Sequence, residues 1–220
     1  MIRAVLFDLD GTFADTAPDL CYAVNLMREA RGLAPVALEA TRPVTSLGAR
    51  GLLGAGFNIT PDDPGYLSLR EEFLQLYEQN LCLHTRLFPG ISELIDALES
   101  RGLRWGIVTN KPRFLTEALL DRLGIANAPH CVVSGDDLPL RKPDPAPLQH
   151  AARSIGVPPS ACLYIGDAKG DIVAGRAAGM RTVAAAYGYI RPDEDIASWQ
   201  ADAVLMRPTD LAQLLARLWA

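Results

Sequence analysis

Six short apolar runs, hydrophobic at successive rather than alternate positions, constrain most strongly how this chain can fold. They are Ala4-Val5-Leu6-Phe7, Trp105-Gly106-Ile107-Val108, Cys131-Val132-Val133, Cys162-Leu163-Tyr164-Ile165, Thr182-Val183-Ala184 and Ala203-Val204-Leu205. A strand with one wet face alternates apolar and polar residues. A run without alternation suits a strand buried on both faces, as in a parallel sheet. Stretches of helical period lie between the runs. Ile91, Leu94, Ile95 and Leu98 repeat at helical spacing, with Gly102 just past the end. Pro112 opens a second helix carrying Leu115, Ala118 and Leu119, with Gly124 as its stop. Leu148, Ala151, Ala152 and Ile155 make a third, closed by Gly156. Thr209 is the candidate cap of a last one bearing Leu211, Leu214, Leu215 and Leu218. Such alternation predicts an α/β fold built on a doubly wound parallel sheet.

One stretch breaks the pattern. Residues 15–84 hold helices and no convincing strand. Leu20, Ala23, Val24 and Met27 form one apolar stripe, ended by Gly32, and Leu69, Phe73, Leu76 and Tyr77 form another. The turn-rich Thr60-Pro61-Asp62-Asp63-Pro64-Gly65 separates them. An ordinary connection from strand to helix is about two to six residues. The stretch is therefore expected to be an inserted helical cap (15–84) on a Rossmann-like core (1–14 and 85–220). It leaves the sheet at the carboxyl end of the first strand, where open α/β sheets bind ligands, so it can cover a site there.

Composition excludes several classes. The 21 basic and 26 acidic residues leave a net charge of −5, which argues against non-specific binding of nucleic acid or an anionic membrane. Hydrophobic residues at 49% and charged ones at 21% suit a globular chain and exclude general disorder. No apolar run approaches the roughly 18 residues of a membrane span. The run after Met1-Ile2-Arg3 stops at Asp8, too early for a signal peptide. A cytosolic protein is expected. Cys21, Cys82, Cys131 and Cys162 form no CxxC pair and read as buried free thiols. His84, His130 and His150 lack ligand spacing and read as structural or surface residues.

Four short segments carry chemistry. Asp8-Leu9-Asp10-Gly11-Thr12 puts two carboxylates just past a buried strand, before a flexible turn. An ionised Asp can be a nucleophile, and a second carboxyl beside it can pass a proton to a leaving oxygen and later take one from water. The same letters would also suit a plain turn closing a strand. Val108-Thr109-Asn110-Lys111 ends the next unit, where a hydroxyl and the N–H groups leading into a helix can meet an anion, or merely cap it. Arg141-Lys142-Pro143-Asp144-Pro145 offers an ammonium as a point charge for a phosphoryl group. Ile165-Gly166-Asp167-Ala168-Lys169-Gly170-Asp171 ends another buried strand in a carboxylate, with a second four residues on. Carboxylates without Cys or His suit a hard cation such as Mg²⁺. Together these groups converge on one sheet edge. Asp8, Asp10 and Asp167 would repel each other and any phosphate dianion, a conflict that a magnesium ion and Lys142 resolve. The set contains each part that phosphoryl transfer needs.

On these residues the chain resembles the haloacid dehalogenase superfamily of phosphohydrolases, in its phosphoglycolate phosphatase-like branch. Asp8-x-Asp10-Gly11-Thr12, Thr109, Lys142 and Gly166-Asp167-x-x-x-Asp171 match its four motifs in order, over essentially the whole chain. The resemblance implies Asp8 as nucleophile and Asp10 as acid/base. It implies Thr109, Asn110 and Lys142 at the phosphoryl group. Mg²⁺ would be held by Asp8, the Asp10 carbonyl and Asp167, with Asp171 in or near its shell. Within that branch, Asp15-Thr16-Ala17-Pro18-Asp19, Gly48-Ala49-Arg50, residues 105–112 and Tyr187-Gly188-Tyr189-Ile190 are similar to the N-acetylmuramic acid 6-phosphate phosphatases. Phe13 stands where Leu is usual. Ala168 replaces a common Ser or Thr, which removes one hydroxyl near the site.

Substrate choice is expected in the cap. Arg50 follows Thr45-Ser46-Leu47-Gly48-Ala49, and its guanidinium suits a substrate carboxylate. Phosphoglycolate and N-acetylmuramic acid 6-phosphate both carry one, so Arg50 does not separate them. A surface Arg on a cap helix is the plainer alternative. Tyr187 and Tyr189 are candidates for the cap–core junction, with core packing as the expected role. The expected enzyme is a Mg²⁺-dependent phosphatase of carbohydrate metabolism acting on a small phosphate monoester, as a monomer or homodimer. Three alternatives stay open. A metal-free dehalogenase of the same fold would not need Asp10. A receiver-like phospho-switch would be about half as long and lack the insert. A phosphomutase would use the same Asp8–Asp10 pair and differ only in turnover.

Overall fold

A computed structural model describes residues 1–218, with Leu218 described by its backbone alone. The Leu218 position in the last apolar stripe thus lies outside the described side chains. All six apolar runs are strands of one fully parallel sheet. In chain order they are β1 (Ala4–Phe7), β4 (Arg104–Val108), β5 (Cys131–Val133), β6 (Cys162–Gly166), β7 (Arg181–Ala185) and β8 (Ala203–Leu205). Their spatial order is β5-β4-β1-β6-β7-β8. The sheet grows outward from β1 in one direction, then restarts at β6 and grows in the other. The switch point lies between β1 and β6.

The absence of alternation has a direct cause. Val5 and Phe7 of β1 face one apolar layer, with Trp105, Ile107 and Leu163. Ala4 and Leu6 face a second layer with Tyr164, Leu148 and Ala151. The first layer is roofed by α5 (Ile91–Ser100), α6 (Arg113–Arg122) and α9 (Leu211–Leu218). The second is roofed by α7 (Ala146–Ser154) and α8 (Lys169–Ala177). Phe13 stacks on Trp105 at 5.6 Å between ring centroids and meets Phe7 edge-on at 5.5 Å. The larger ring thus joins an aromatic cluster in the first layer.

Between β1 and α5 the chain builds α1 (Ala17–Glu29), α2 (Leu38–Thr41), a 3₁₀ turn over Arg42–Leu47, α3 (Ala49–Phe57) and α4 (Tyr66–Gln79). Leu20, Ala23, Val24 and Met27 of α1 are buried, as their spacing predicts. So are Phe73 and Tyr77 of α4, while Leu69 and Leu76 are half-buried. A feature without sequence signal ties the two ends of this region together. Ala14–Asp15 (β2) and Arg86–Leu87 (β3) pair antiparallel, and two residues carry no readable period. Asp19 adds to the tie, its carboxylate accepting from the backbone N–H groups of His84 and Thr85 and from the Thr85 hydroxyl.

Two sequence expectations need revision. The four thiols are free, but only Cys21 and Cys162 are buried, while Cys82, in the turn after α4, and Cys131, at the start of β5, are half-buried. Tyr189 is buried, yet its main work lies at the junction. Its hydroxyl oxygen accepts from Thr16 N at 2.7 Å and Ala17 N at 2.9 Å, and donates to Asp15 at 2.9 Å, so the loop after β7 grips the start of α1. No helix among the described residues is long and apolar enough to cross a membrane.

Candidate active site

The switch point sets the site. Asp8 leaves β1 with its N–H still bonded to Ile165 O of β6 at 2.8 Å, so the carboxyl edge of the sheet holds it rigidly. Asp167 follows β6 directly. Gly11 then turns the chain with φ +84°, and a Cβ there would collide with the Asp167 carboxylate and the Tyr189 ring. Only glycine satisfies both conditions.

Lys142 is the hub. Its ammonium lies 2.9 Å from Asp8 Oδ1 and 2.7 Å from Asp171 Oδ1, and donates to Val108 O at 3.0 Å and Tyr164 OH at 2.7 Å. The Asn110 side-chain amide brackets the Lys142 backbone, donating to its carbonyl at 2.9 Å and accepting from its N–H at 3.1 Å. Asn110 thereby steadies Lys142, and what it has left for an anion is its backbone N–H. Burial alone would push the Lys142 pKa down. Asp171 and Asp8 reverse that and hold it above its ordinary value, so the group stays charged.

The carboxylates strain the other way. Burial raises Asp8 to about 8, with Lys142 opposing and Asp171 and Asp167 adding to the rise. Asp167 is raised to about 6, first by burial and then by Asp171, against bonds from Tyr189 N, Ser46 and Thr12. Asp8, Asp167 and Asp171 each present an oxygen within 4.8 Å of the others. Three crowded carboxylates and no Cys or His suit a hard, oxygen-loving divalent cation. Asp167 is aimed by Thr12 at 3.0 Å, Ser46 at 2.8 Å and Tyr189 N at 3.0 Å. Ala168 offers no hydroxyl, but its N–H donates to Asp171 Oδ2 at 3.0 Å and orients that carboxylate.

Asp10 lines the same cavity as Asp8 and Asp171. Its Oδ1 accepts from Thr16 at 2.5 Å and from the Lys111 ammonium at 2.9 Å. Thr109 is buried at the end of β4, its hydroxyl oxygen accepting from Lys111 N at 3.2 Å. These groups floor a cavity of about 490 Å³ whose other wall comes from residues 45–77. Arg50, in the first turn of α3, and Arg70 of α4 both line it, and neither has an ion pair among the described residues. The sequence-predicted residues Asp8, Asp10, Thr109, Asn110, Lys142, Asp171 and Arg50 thus share one cavity, with Asp167 just beneath.

Sequence reasoning missed four contributors. Lys111 lies inside a motif singled out for Thr109, and Ser46 lies inside the segment noted for Arg50. Tyr164 and Arg70 carried no signal beyond their helix or strand positions, because their reach depends on which elements become neighbours.

A carboxylate nucleophile candidate, a lysine clamp and a carboxylate cation cradle at the switch point of a doubly wound sheet define a class of phosphoryl-handling enzyme folds. The chain belongs to the haloacid dehalogenase-like hydrolases, a family that matches residues 5–185. Over 216 residues it is 44% identical to the N-acetylmuramic acid 6-phosphate phosphatase of Pseudomonas aeruginosa, covering 98% of this chain and 96% of that one. Over 209 residues it is 46% identical to a phosphoglycolate phosphatase of Xanthomonas campestris pv. campestris, covering 95% and 94%. Its fold matches a crystal structure from Haemophilus somnus 129PT, described as a predicted phosphoglycolate phosphatase. That match has a TM-score of 0.85 and 28% identity, over 97% of this chain and 98% of that one. Hydrolases of this family generally use Mg²⁺ and an aspartyl-phosphate intermediate.

Proposed function

We propose that the protein is a Mg²⁺-dependent phosphatase that hydrolyses a small, carboxylate-bearing phosphate monoester through an aspartyl-phosphate on Asp8. The observation that carries this reading is Asp8 itself. It is fixed at the switch point, 2.9 Å from Lys142, clustered with Asp167 and Asp171, and in one cavity with Asp10. Asp8, the Asp10 carbonyl and Asp167 would hold the ion, with Asp171 beside it. When bound, Mg²⁺ supplies positive charge that draws the phosphoryl oxygens toward Asp8 and stabilises the charge that develops on them.

This chain's residues do the rest. An Asp8 oxygen attacks phosphorus, and the bond from phosphorus to the ester oxygen breaks. Asp10 gives its proton to that oxygen, so an alcohol leaves. Asp10, now a carboxylate, takes a proton from water, whose oxygen attacks the phosphorus and releases Asp8 and inorganic phosphate. Lys142, the Thr109 hydroxyl and the Asn110 N–H hold the phosphoryl oxygens. We assign residues 1–14 and 85–220 to the catalytic core and 15–84 to a cap that bounds the substrate. Relatives named for phosphoglycolate and for N-acetylmuramic acid 6-phosphate support an acid substrate, and Arg50 and Arg70 supply guanidiniums for its carboxylate. We place its work in the cytosol, a reading supported by four free thiols.

Phosphate release from phosphoglycolate, N-acetylmuramic acid 6-phosphate and a carboxylate-free sugar phosphate tests this reading, each with Mg²⁺ and with chelator. Mg²⁺-dependent release that favours one acid is expected. Release indifferent to chelator, or none from any ester, would overturn it. Gly11→Ala provides a check on the cradle. The backbone conformation costs about 1–2 kcal/mol for any residue with a Cβ, and the methyl displaces Asp167. Half-maximal activity should then need roughly ten times more Mg²⁺. An unchanged Mg²⁺ titration would show that Asp167 does not hold the ion.

A further inference from the structure

Lys111 is a buried cation beside the reacting groups with no part in the mechanism so far. It is 8% exposed. Its backbone is pinned, the carbonyl accepting from Gly135 N at 2.8 Å and from the Thr116 hydroxyl at 3.3 Å. Its ammonium bonds two partners from opposite sides of the cavity: Asp10 Oδ1 at 2.9 Å and the Tyr77 hydroxyl oxygen at 3.1 Å. Tyr77 is fully buried on α4 and parallel to Phe73, with ring centroids 6.3 Å apart, so it cannot easily swing away. The ammonium also lies 4.5 Å from the Tyr77 ring centroid.

The bonding of Asp10 gives this arrangement a consequence. Thr16 and Lys111 both bond to the same oxygen, Oδ1. Two donors converging there fix the plane of the carboxyl group. They leave Oδ2, without a protein donor among the described residues, as the oxygen that carries and releases a proton. Placing a proton donor within a fraction of an ångström is worth orders of magnitude in rate.

We infer that Lys111 is a positioning residue that holds the Asp10 carboxyl for proton transfer, and that Tyr77 of α4 holds Lys111 in turn. The inserted helices thereby act on the chemistry as well as on substrate choice. The inference rests on Asp10 being the general acid.

The leaving group separates the possibilities. An alkyl phosphate expels an alkoxide that needs the Asp10 proton, whereas p-nitrophenolate leaves without one. The constant kcat/KM covers only the steps through phosphorylation of Asp8, so later water attack does not blur the comparison. Asp10→Asn should lower kcat/KM by roughly a thousandfold for the preferred alkyl monoester and far less for p-nitrophenyl phosphate. Lys111→Met should follow the same pattern, with roughly a hundredfold loss on the alkyl ester and less than about fivefold on the aryl ester. Tyr77→Phe keeps the ring and loses only the hydroxyl; it should cost roughly fivefold on the alkyl ester alone. Lys111→Arg should recover part of the Met loss. Equal losses on both esters in Lys111→Met, with Asp10→Asn still discriminating, would mean that Lys111 serves phosphoryl binding or folding, and the inference falls. Should Lys111→Met fail to fold, Tyr77→Phe and Lys111→Arg decide by the same comparison. An Asp10→Asn protein that treats both esters alike would remove the general acid itself, and this inference with it.

Discussion

Asp8→Asn should give a folded protein that binds its phosphate ester and does not turn it over. The amide keeps the size and shape of the carboxyl group at a position whose side chain is only 13% exposed, so packing is undisturbed. It cannot form a stable acyl phosphate, so kcat should fall by roughly 10⁴–10⁶. Stability should move little or upward. Burial, Asp171 and Asp167 hold Asp8 at about 8 even with Lys142 beside it, so the charged form is unfavourable in the fold at neutral pH. A neutral amide relieves that repulsion. In chelator the variant should melt at or above the parent temperature. Phosphate release, calorimetric titration with the ester and thermal melts check the three parts separately. A rate near the parent's would refute Asp8 as nucleophile.

Lys142→Met should act in the opposite sense on stability. Lys142 lies between Asp8 and Asp171 with 4% of its side chain exposed, and Asp171 is 3% exposed. Methionine fills the same volume and leaves two buried carboxylates facing each other. Removing one partner of such a buried ion pair costs about 3–5 kcal/mol. At this chain length that is a fall of roughly 6–20 °C in melting temperature. Activity should fall by roughly a thousandfold, because the clamp on the phosphoryl oxygens is lost. Added Mg²⁺ should recover part of the stability and little of the rate, since a divalent cation relieves the carboxylates without replacing an ammonium above the phosphoryl group. Melts in Mg²⁺ and in chelator make the comparison. A melting temperature within a couple of degrees of the parent in chelator would show that Lys142 is not the counter-ion of Asp8 and Asp171.

These two residues mark opposite kinds of cost. Asp8 sits where burial, Asp171 and Asp167 disfavour its charged form, and Lys142 opposes them. The loops around them hold this arrangement. Asn110 brackets the Lys142 backbone, Ala168 N–H orients Asp171, and Ser46 reaches from the inserted region to Asp167. Inserted helices that place a hydroxyl on one site carboxylate and, through Tyr77 and Lys111, bear on another are more than a cover.

The strands and the motif carboxylates were legible in the chain because each is a local pattern. A strand buried on both faces tends to be apolar at successive positions, and six runs carry that mark, although the edge strand β8 leaves Val204 exposed. Asp8, Asp10 and Asp167 follow their strands immediately, so predicting the strands also predicted the edge on which the carboxylates gather. The two-residue β2–β3 pair was not legible, since it has no period. The roles of Lys111, Tyr164 and Ser46 were not legible either. Each depends on an atom reaching another element 22 to 121 residues away in the chain.

Sequence alone predicted the doubly wound sheet and put Asp8, Asp10 and Asp167 near strand ends. Local hydrophobic period and strand-end position suffice for that. Only the tertiary structure decided how their charges are balanced. It pairs Lys142 with Asp8 and Asp171, turns the Asn110 amide onto Lys142, and sets Lys111 between Asp10 and Tyr77. Hydrogen bonds and ion pairs are decided over about 3 Å, and no spacing along a chain specifies a distance that short between separate elements.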